Sequence, residues 1–348
     1  MRIITAAQKQ ALEDLAAEGL LRGLPVQTAE KDIHITELLK KLSKLQVHHN
    51  HFSDIDPRRA EHTRHDEGIR LIFAGGTCLS KAHGLINRMS EDIDIKVVLS
   101  ATKSPLKKGR GDRVRLKSLH EHIPSLLNGL GFPPLEYLNG ELNPSIRDAH
   151  RYYVVGARYK STYSEFPSLR PELKLELIQR QPLLPLERRE FGYLYETLAG
   201  LQATSTVAID CVSVAETAAE KVLSLLRRYA YKWDGHQIKG DIDPTLVRHV
   251  YDVARIFEHS RDSLASARSI FPQLVQSDQN EFHGQNPEFD SDPVSVLKRT
   301  LNVAKTNGEL LKQYSKHLIP LVYDTNRPTF EESFASFETV AMDFLAAC

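Results

Sequence analysis

The sequence predicts an α+β fold in which a mixed sheet is preceded by a helical cap and followed by a helical domain. Leucines at three-to-four spacing recur through residues 5–48, which indicates amphipathic helices. Short apolar or alternating segments, typical of strands, fall within residues 65–212, and helical patterns dominate beyond that point. The predicted domains are therefore a cap at 1–64, a core at 65–212 and a helical domain at 213–348.

Several segments of the core are predicted as strands, with a helix near Val114–Leu130. The predicted strands are Leu71–Ala74, Ile93–Leu99, Tyr152–Tyr159, Leu173–Ile178 and Val207–Cys211. In the last domain, helices are predicted at Ser213–Tyr231, Pro244–His259, Arg261–Ile270, Pro293–Asn307 and Thr329–Ala346. The polar stretch Gln276–Asp292 is predicted to be a loop between helices.

Composition favours a cytoplasmic protein and argues against a membrane partner. The 348 residues include 45 basic and 45 acidic side chains, so any nucleic-acid binding must come from local patches. Three widely spaced cysteines give neither a disulfide framework nor a zinc pattern, which fits a reducing compartment. The amino-terminal segment carries acidic residues and lacks a long apolar run, so we expect neither a signal peptide nor an anchor.

A glycine turn precedes a pair of carboxylates in the core. Gly75, Gly76 and Thr77 follow the predicted strand Leu71–Ala74 and precede a predicted short helix, Leu79–Ile86, and the pair Asp92 and Asp94 opens the next strand. Side chains two apart on a strand share a face, so both acids can bind one group of hard cations. Glycine lets backbone amides approach phosphate closely. This combination is typical of metal-dependent nucleotidyl transfer.

A third carboxylate, Glu176, lies on the predicted strand Leu173–Ile178, where polar residues alternate with leucines. Two Mg²⁺ ions bridged by Asp92, Asp94 and Glu176 could activate an attacking hydroxyl and neutralise charge on a nucleoside triphosphate (NTP). For Glu176 the alternative is an ordinary solvent-facing strand. The phosphates would meet Gly76 and Thr77, with Ser80 and Lys81 entering from the next helix and Ser90 just ahead of the acids.

At these residues the chain resembles the AbiEii-type abortive-infection nucleotidyltransferase toxins, a branch of the polymerase-beta-like nucleotidyltransferase superfamily. The resemblance rests on Gly75-Gly76-Thr77-x-Leu79-Ser80-Lys81 and Arg88-x-Ser90-Glu91-Asp92-Ile93-Asp94. Shorter matches flank this motif, so that the resemblance covers roughly residues 28–258. They are Glu30-Lys31-Asp32, Pro171–Glu176, Ala219-Glu220-Lys221 and Arg248-x-x-Tyr251-Asp252.

The resemblance implies a polymerase-beta-like core and roles for residues of the helical domain. It implies that Lys221 reaches the triphosphate and that Arg248 and Asp252 belong to the nucleotide site, with Asp252 orienting a basic side chain. The third acid is Glu176 where the family more often has Asp. The resemblance further implies a toxin of a toxin–antitoxin or phage-defence system, a cognate antitoxin, and transfer of a nucleoside monophosphate to an RNA end, such as that of tRNA.

A basic run follows the acidic strand, and we interpret it as an RNA-binding surface. It comprises Lys103, Lys107, Lys108, Arg110, Arg113, Arg115 and Lys117. Its predicted contacts are Lys107, Lys108, Arg110 and Arg113. A solvated loop is the alternative.

Three histidines lie close together in the sequence, at His48, His49 and His51. They are interpreted as part of a polar linker, because no Cys or carboxylate joins them at metal-ligand spacing.

Two other functions remain open at the level of sequence. The same chemistry could place a nucleotide on a protein side chain instead of RNA. A non-catalytic nucleotide sensor or antitoxin-like module could keep the glycine turn, but the retention of Gly76, Asp92, Asp94 and Glu176 together argues against it.

Overall fold

The structure is a computed structural model that describes residues 1–50, 64–66, 68–100, 108–164, 169–170, 172–236, 243–324 and 327–348. The chain divides into two compact units. The first comprises Met1–Ala82, Ser90–Pro182 and Leu186–Cys211, so the residues predicted as a cap lie in the same unit as the sheet. The second comprises His83–Met89, Leu183–Pro185 and Val212–Cys348.

A seven-stranded mixed sheet forms the centre of the first unit. Its strands are β3 (Ile69–Ala74), β4 (Asp92–Leu99), β7 (Ser145–Arg147), β8 (Tyr152–Arg158), β9 (Glu172–Gln179), β10 (Glu187–Phe191) and β11 (Val207–Cys211), in the order β10-β11-β3-β4-β9-β8-β7. The pairs β11/β3 and β4/β9 are parallel, and the other pairs are antiparallel. Two small two-stranded sheets accompany it, β1 (His48–Asn50) with β2 (Arg64–Asp66) and β5 (Tyr137–Leu138) with β6 (Glu141–Leu142).

Five α-helices and a short 3-10 turn at Asp148–His150 complete the described part of the first unit. The helices are α1 (Ala6–Ala17), α2 (Val26–Leu42), α3 (Gly75–Lys81), α4 (Lys108–Gly129) and α5 (Leu194–Ala199). Helix α2 is buried over nearly its whole length, including Glu30, Lys31 and Asp32. Charged residues this deeply buried need partners, and each of the three is paired with a different segment of the unit.

The second unit is helical in its described part. Its helices are α6 (Val214–Trp233), α7 (Arg248–His259), α8 (Ser263–Glu281), α9 (Pro287–Ser291), α10 (Pro293–Thr306), α11 (Gly308–Gln313) and α12 (Phe330–Leu345), with short 3-10 or π turns at Pro244–Val247, Tyr314–Leu318 and Ile319–Leu321. No helix among the described residues is both long and apolar enough to cross a bilayer. The α+β prediction, with a mixed sheet and a helical carboxy-terminal region, is confirmed.

Two predicted segments differ from the structure. The helix predicted at Leu79–Ile86 is α3, which begins at Gly75 and ends at Lys81, just before the left-handed Gly84 at φ +64°. The loop predicted at Gln276–Asp292 is largely helical, because α8 runs to Glu281 and α9 follows. The segment is polar in composition, which is why a loop was predicted. It is helical because buried contacts stabilise it: Asp278 pairs with Arg227 at 2.9 Å, and Phe289 is fully buried.

Strand β10 and helix α5 are absent from the predicted elements. The β10 segment is polar and lies at the edge of the sheet, and among the described strands it pairs only with β11. Edge strands have one unpaired side and tolerate charged residues, so the segment lacks the apolar alternation that identifies buried strands.

Candidate active site

The three predicted acids lie on two neighbouring strands of the first unit. Asp92 and Asp94 alternate along β4 with fully buried Ile93 and Ile95, so both point to the half-exposed face. Strand β9 pairs with β4 in parallel, and this register sets Glu176 opposite Asp94 and Lys174 opposite Asp92. The sheet therefore brings the three carboxylates together on one face.

Gly75 lies against the Asp94 carboxylate. Its φ of +73° is in the left-handed region, and a Cβ on this residue would overlap Asp94 Oδ2. Any side chain here would be strained and would displace the acid. The first turn of α3, which also contains Gly76 and Thr77, thus starts beside Asp94.

Three other residues of the glycine motif are buried within the first unit. The Thr77 hydroxyl donates to the Asp92 carbonyl, and Ser80 is 8% exposed. Lys81 forms an ion pair with Asp32, and its Nζ also lies 3.3 Å from the Gly192 carbonyl oxygen. Thr77 and Lys81 therefore fix α3 against β4 and α2, while Ser90 is half-buried just ahead of the acids.

Two cations contact the acids. Arg170 Nη2 lies 3.0 Å from Asp92 Oδ1 and 3.1 Å from Oδ2. Lys174 forms an ion pair with Glu176, and the Tyr152 hydroxyl lies 3.5 Å from Glu176 Oε2. Burial alone would lower the pKa of Lys174, but the Asp92 and Glu176 carboxylates more than offset it and raise the pKa above its usual value. Lys174 is therefore charged.

The donor set fits a divalent cation. Carboxylate oxygens are the ligands Mg²⁺ prefers, the register gathers three of them, and the missing Cβ of Gly75 leaves room at Asp94. As the side chains stand, no three His, Cys, Asp or Glu residues of the described chain form a ready metal-binding group. Asp92 and Glu176 instead face Arg170 and Lys174, so Asp92, Asp94 and Glu176 would hold a metal after exchanging these cations.

Several residues that support the acids were not predicted from the sequence. Lys31 is fully buried and contacts Glu91 Oε1 at 2.9 Å, and the Arg170 amide donates to the same oxygen at 2.7 Å. Burial lowers the pKa of Lys31, and the Glu91 charge opposes that shift. Lys96, two positions after Asp94 on the same face, is also buried. The available signals were the motif Glu30-Lys31-Asp32 and the place of Glu91 in the central motif, but the contact between Lys31 and Glu91 joins segments that lie far apart in sequence.

Lys221, Asp252 and Arg248 lie in the second unit. Lys221 Nζ is 2.8 Å from Asp252 Oδ2, and Arg88 donates to both Asp252 oxygens at 2.7 and 2.6 Å. Asp252 is fully buried, which by itself would raise its pKa, but Arg88 and Lys221 hold the pKa well below its usual range. Asp252 thus keeps its charge and orients two cations. Arg248, which is 8% exposed, is the first residue of α7. Its Nε lies 3.4 Å from the His317 carbonyl oxygen.

The structure describes only part of the predicted RNA-binding surface. Lys107 and the side chains of Lys108 and Arg110 lie outside the described residues, and Arg113 is exposed on α4. Arg115, from the same basic run, is buried and contacts Asp112 at 3.0 Å and the Ser100 carbonyl oxygen at 2.9 Å. Most of the histidine segment also lies outside the described residues, because His51 and the side chains of His48 and His49 are not described.

Comparison with known proteins defines the class. Residues 60–336 match the family model described as nucleotidyl transferase AbiEii toxin, type IV TA system. The chain is therefore a nucleotidyltransferase enzyme. It belongs to the AbiEii toxin family, as the resemblance at the glycine and acidic motifs indicated.

Two solved structures from Helicobacter pylori show a more distant similarity. The JHP933 crystal structure is 13% identical, with a TM-score of 0.34, and the match covers 79% of this chain and 84% of JHP933. A candidate nucleotidyltransferase is 14% identical, with a TM-score of 0.35, and the match covers 79% of this chain and 86% of that one. A comparison with curated proteins gave no match. The family match carries the assignment, because both TM-scores are low.

Proposed function

We propose that the protein uses Mg²⁺ to transfer a nucleoside monophosphate from an NTP to the end of an RNA, with tRNA as the acceptor. The observation that carries this proposal is the pairing of Asp94 with Glu176 across parallel strands, with Gly75 lying against Asp94. The acceptor hydroxyl oxygen would bond the α-phosphorus, and the bond to pyrophosphate would break.

Asp92, Asp94 and Glu176 would hold two Mg²⁺ ions. When bound, such ions activate the attacking hydroxyl and neutralise charge on the phosphates. The chain's own part is to present three carboxylates at fixed spacing on a rigid sheet, which lowers the reorganisation needed when substrate binds.

The glycine motif would bind the triphosphate through backbone amides of Gly75, Gly76 and Thr77, because amides of the first turn of a helix have no partner within the helix. Ser80, Lys81 and Ser90 would complete this cradle, with Lys81 leaving Asp32 for phosphate. In the second unit, Lys221 would contact the phosphates, Asp252 would orient it, and Arg248 would add charge.

The acceptor is proposed to be RNA because a basic run follows the acidic strand in sequence. Lys107, Lys108, Arg110 and Arg113 would neutralise backbone phosphates, the dominant contribution to RNA affinity. Membership of a toxin–antitoxin family supports a cognate antitoxin as the regulatory partner. Both proposed substrates, NTP and tRNA, place the reaction in the cytoplasm.

Incubation of the purified protein with total RNA and each of four α-labelled NTPs tests the proposal. We expect label in RNA of tRNA size with Mg²⁺, and none with EDTA or with Asp94→Ala. Label in protein would shift the acceptor to a polypeptide. Undiminished transfer by Asp94→Ala would contradict the assignment of the acids.

A further inference from the structure

Asp92 and Glu176, two of the acids proposed to bind metal, are each held by a cation of the chain. Arg170 Nη2 straddles the Asp92 carboxylate, at 3.0 Å from Oδ1 and 3.1 Å from Oδ2. The Lys174 ammonium contacts Glu176. A carboxylate offers the same lone pairs to an N–H donor and to a metal ion. Arg170 donates to Asp92 Oδ2 and therefore uses an oxygen that a divalent ion at Asp92 would need.

The backbone of Arg170 is anchored independently of its guanidinium. Its amide donates to Glu91 Oε1 at 2.7 Å, and its carbonyl oxygen accepts from Lys31 Nζ at 2.8 Å. Lys31 and Glu91 are 0% and 2% exposed and contact each other at 2.9 Å. Buried, mutually paired groups of this kind hold a main chain firmly.

The Arg170 side chain, in contrast, reaches solvent. It is 28% exposed, and its Nε lies 3.6 Å from Glu91 Oε2. A guanidinium on a fixed backbone can move between acceptors without moving the main chain. It also presents paired N–H groups that match phosphate oxygens as well as carboxylate oxygens.

We propose that Arg170 is a displaceable counter-ion of the active site, which holds Asp92 while metal is absent and binds the triphosphate of the NTP once metal takes the carboxylate. The inference rests on the proposed function. It assigns the nucleotide site a residue outside the glycine motif, and it makes metal and nucleotide binding cooperative, because metal releases the cation that the phosphates then engage.

Opposite shifts in two affinities distinguish this role from a structural one. Without nucleotide, Arg170→Gln should bind Mn²⁺ about three- to tenfold more tightly than wild type, because a partly exposed competing cation is removed. With Mg²⁺ present, the same variant should bind its NTP about tenfold more weakly, because a charged contact is lost. Both would be measured by calorimetry, with Mn²⁺ alone and with each of the four NTPs.

Two matched variants sharpen the test. Arg170→Lys, which keeps the charge, should show smaller shifts in both affinities. Arg188→Gln removes an exposed ion pair with Asp210 elsewhere on the sheet and should change neither affinity. Mn²⁺ affinity that is unchanged or lower in Arg170→Gln, or unchanged NTP affinity, would overturn the proposal.

Different results would show that the proposed function, and not only the counter-ion role of Arg170, is wrong. If Asp94→Ala transfers nucleotide normally, or wild type binds no Mn²⁺, the metal site itself is wrong. If Asp94→Ala is inactive, wild type binds Mn²⁺ and Arg170→Gln lacks the opposite shifts, only the counter-ion role is wrong.

Discussion

Asp92 and Asp94 bring two like charges onto one face of β4. Their removal should abolish transfer and change stability little, because the loss of the partly exposed Asp92–Arg170 ion pair is offset by relief of like-charge repulsion, while the buried face of the strand is untouched. We expect the free energy of unfolding of Asp92→Ala and Asp94→Ala to stay within about 0.5 kcal/mol of wild type or to rise slightly. Urea unfolding beside a transfer assay measures both. A large loss of stability would mean that the acids are structural.

Alanine substitutions at Lys221 and at Asp252 should lower the free energy of unfolding by different amounts. Asp252→Ala leaves two buried cations, Arg88 and Lys221, without their carboxylate, which should cost about 3–5 kcal/mol of unfolding free energy. Lys221→Ala leaves Asp252 still paired with Arg88, so the loss should be about 1.5–3 kcal/mol. Equal losses in urea unfolding would show that Arg88 alone does not satisfy Asp252.

Lys221 is also predicted to act in transfer. If its ammonium meets the triphosphate, Lys221→Ala should slow transfer about ten- to a thousandfold. Lys232→Ala is the matched control, since Lys232 lies on the same helix and pairs with Glu309 near the surface. Single-turnover rates at saturating NTP would measure the effect, and equal rates for the two variants would return Lys221 to a purely structural role.

At the scale of elements, the junction of β3 and α3 depends on one glycine. Gly75→Ala should destabilise the protein by about 1–2 kcal/mol through its left-handed backbone and should also abolish transfer, because the new Cβ would displace the Asp94 carboxylate. Gly200→Ala is the matched control: its φ is +69° and nothing lies within 4 Å of the added Cβ. It should lose similar stability and keep its activity, as thermal unfolding and a transfer assay would show.

Helix α2 carries a buried histidine that should make stability depend on pH. His34 packs against Tyr159, with ring centroids 4.6 Å apart, and burial lowers its pKa from 6.5 to about 3. The unfolded chain therefore binds a proton between these values that the folded chain rejects. Stability should be fully present above pH 6.5 and should fall as pH drops towards 3, by about 1.4 kcal/mol per pKa unit of the shift.

His34→Leu should flatten this dependence in urea unfolding measured between pH 4 and 7. Some slope should remain, because burial also lowers the pKa of His120, to about 4. His259→Leu, at a side chain that is 47% exposed, is the control and should keep the wild-type slope. A wild-type slope in His34→Leu would contradict the prediction.

At the scale of the whole molecule, formal charges cancel, so RNA binding must depend on a local patch. Replacing Lys107, Lys108, Arg110 and Arg113 with serine should weaken RNA binding and flatten its salt dependence. The slope for single strands is about −0.7 per neutralised phosphate. Nucleotide affinity should not change. Binding to RNA at several salt concentrations measures the slope.

An equal change of charge elsewhere is the control. Four exposed lysines of the second unit can be replaced with serine, namely Lys298, Lys305, Lys312 and Lys316. This variant should keep the wild-type salt slope. Equal slopes in the two fourfold variants would remove the basic run from the RNA site, and absence of RNA binding by wild type would favour a protein acceptor.

The strands and helices that bury one apolar face were predictable, because a period of two or of 3.6 residues records that burial directly in the chain. Strand β4, with alternating Asp and Ile, is the clearest case. Strand β10 and helix α9 were not predictable in this way, since pairing with β11 at a sheet edge and burial of Phe289 stabilise segments of polar composition.

The sequence by itself determined the α+β class, the strand that carries Asp92 and Asp94, and the family. Only the tertiary structure decided what surrounds those acids. The parallel register of β4 and β9 sets Glu176 opposite Asp94, and the turn at Gly75 brings α3 against the carboxylate. Partners such as Arg170 and Lys31 lie 78 and 60 residues from Asp92 and Glu91. No local period encodes such contacts, because they form only when distant segments pack together.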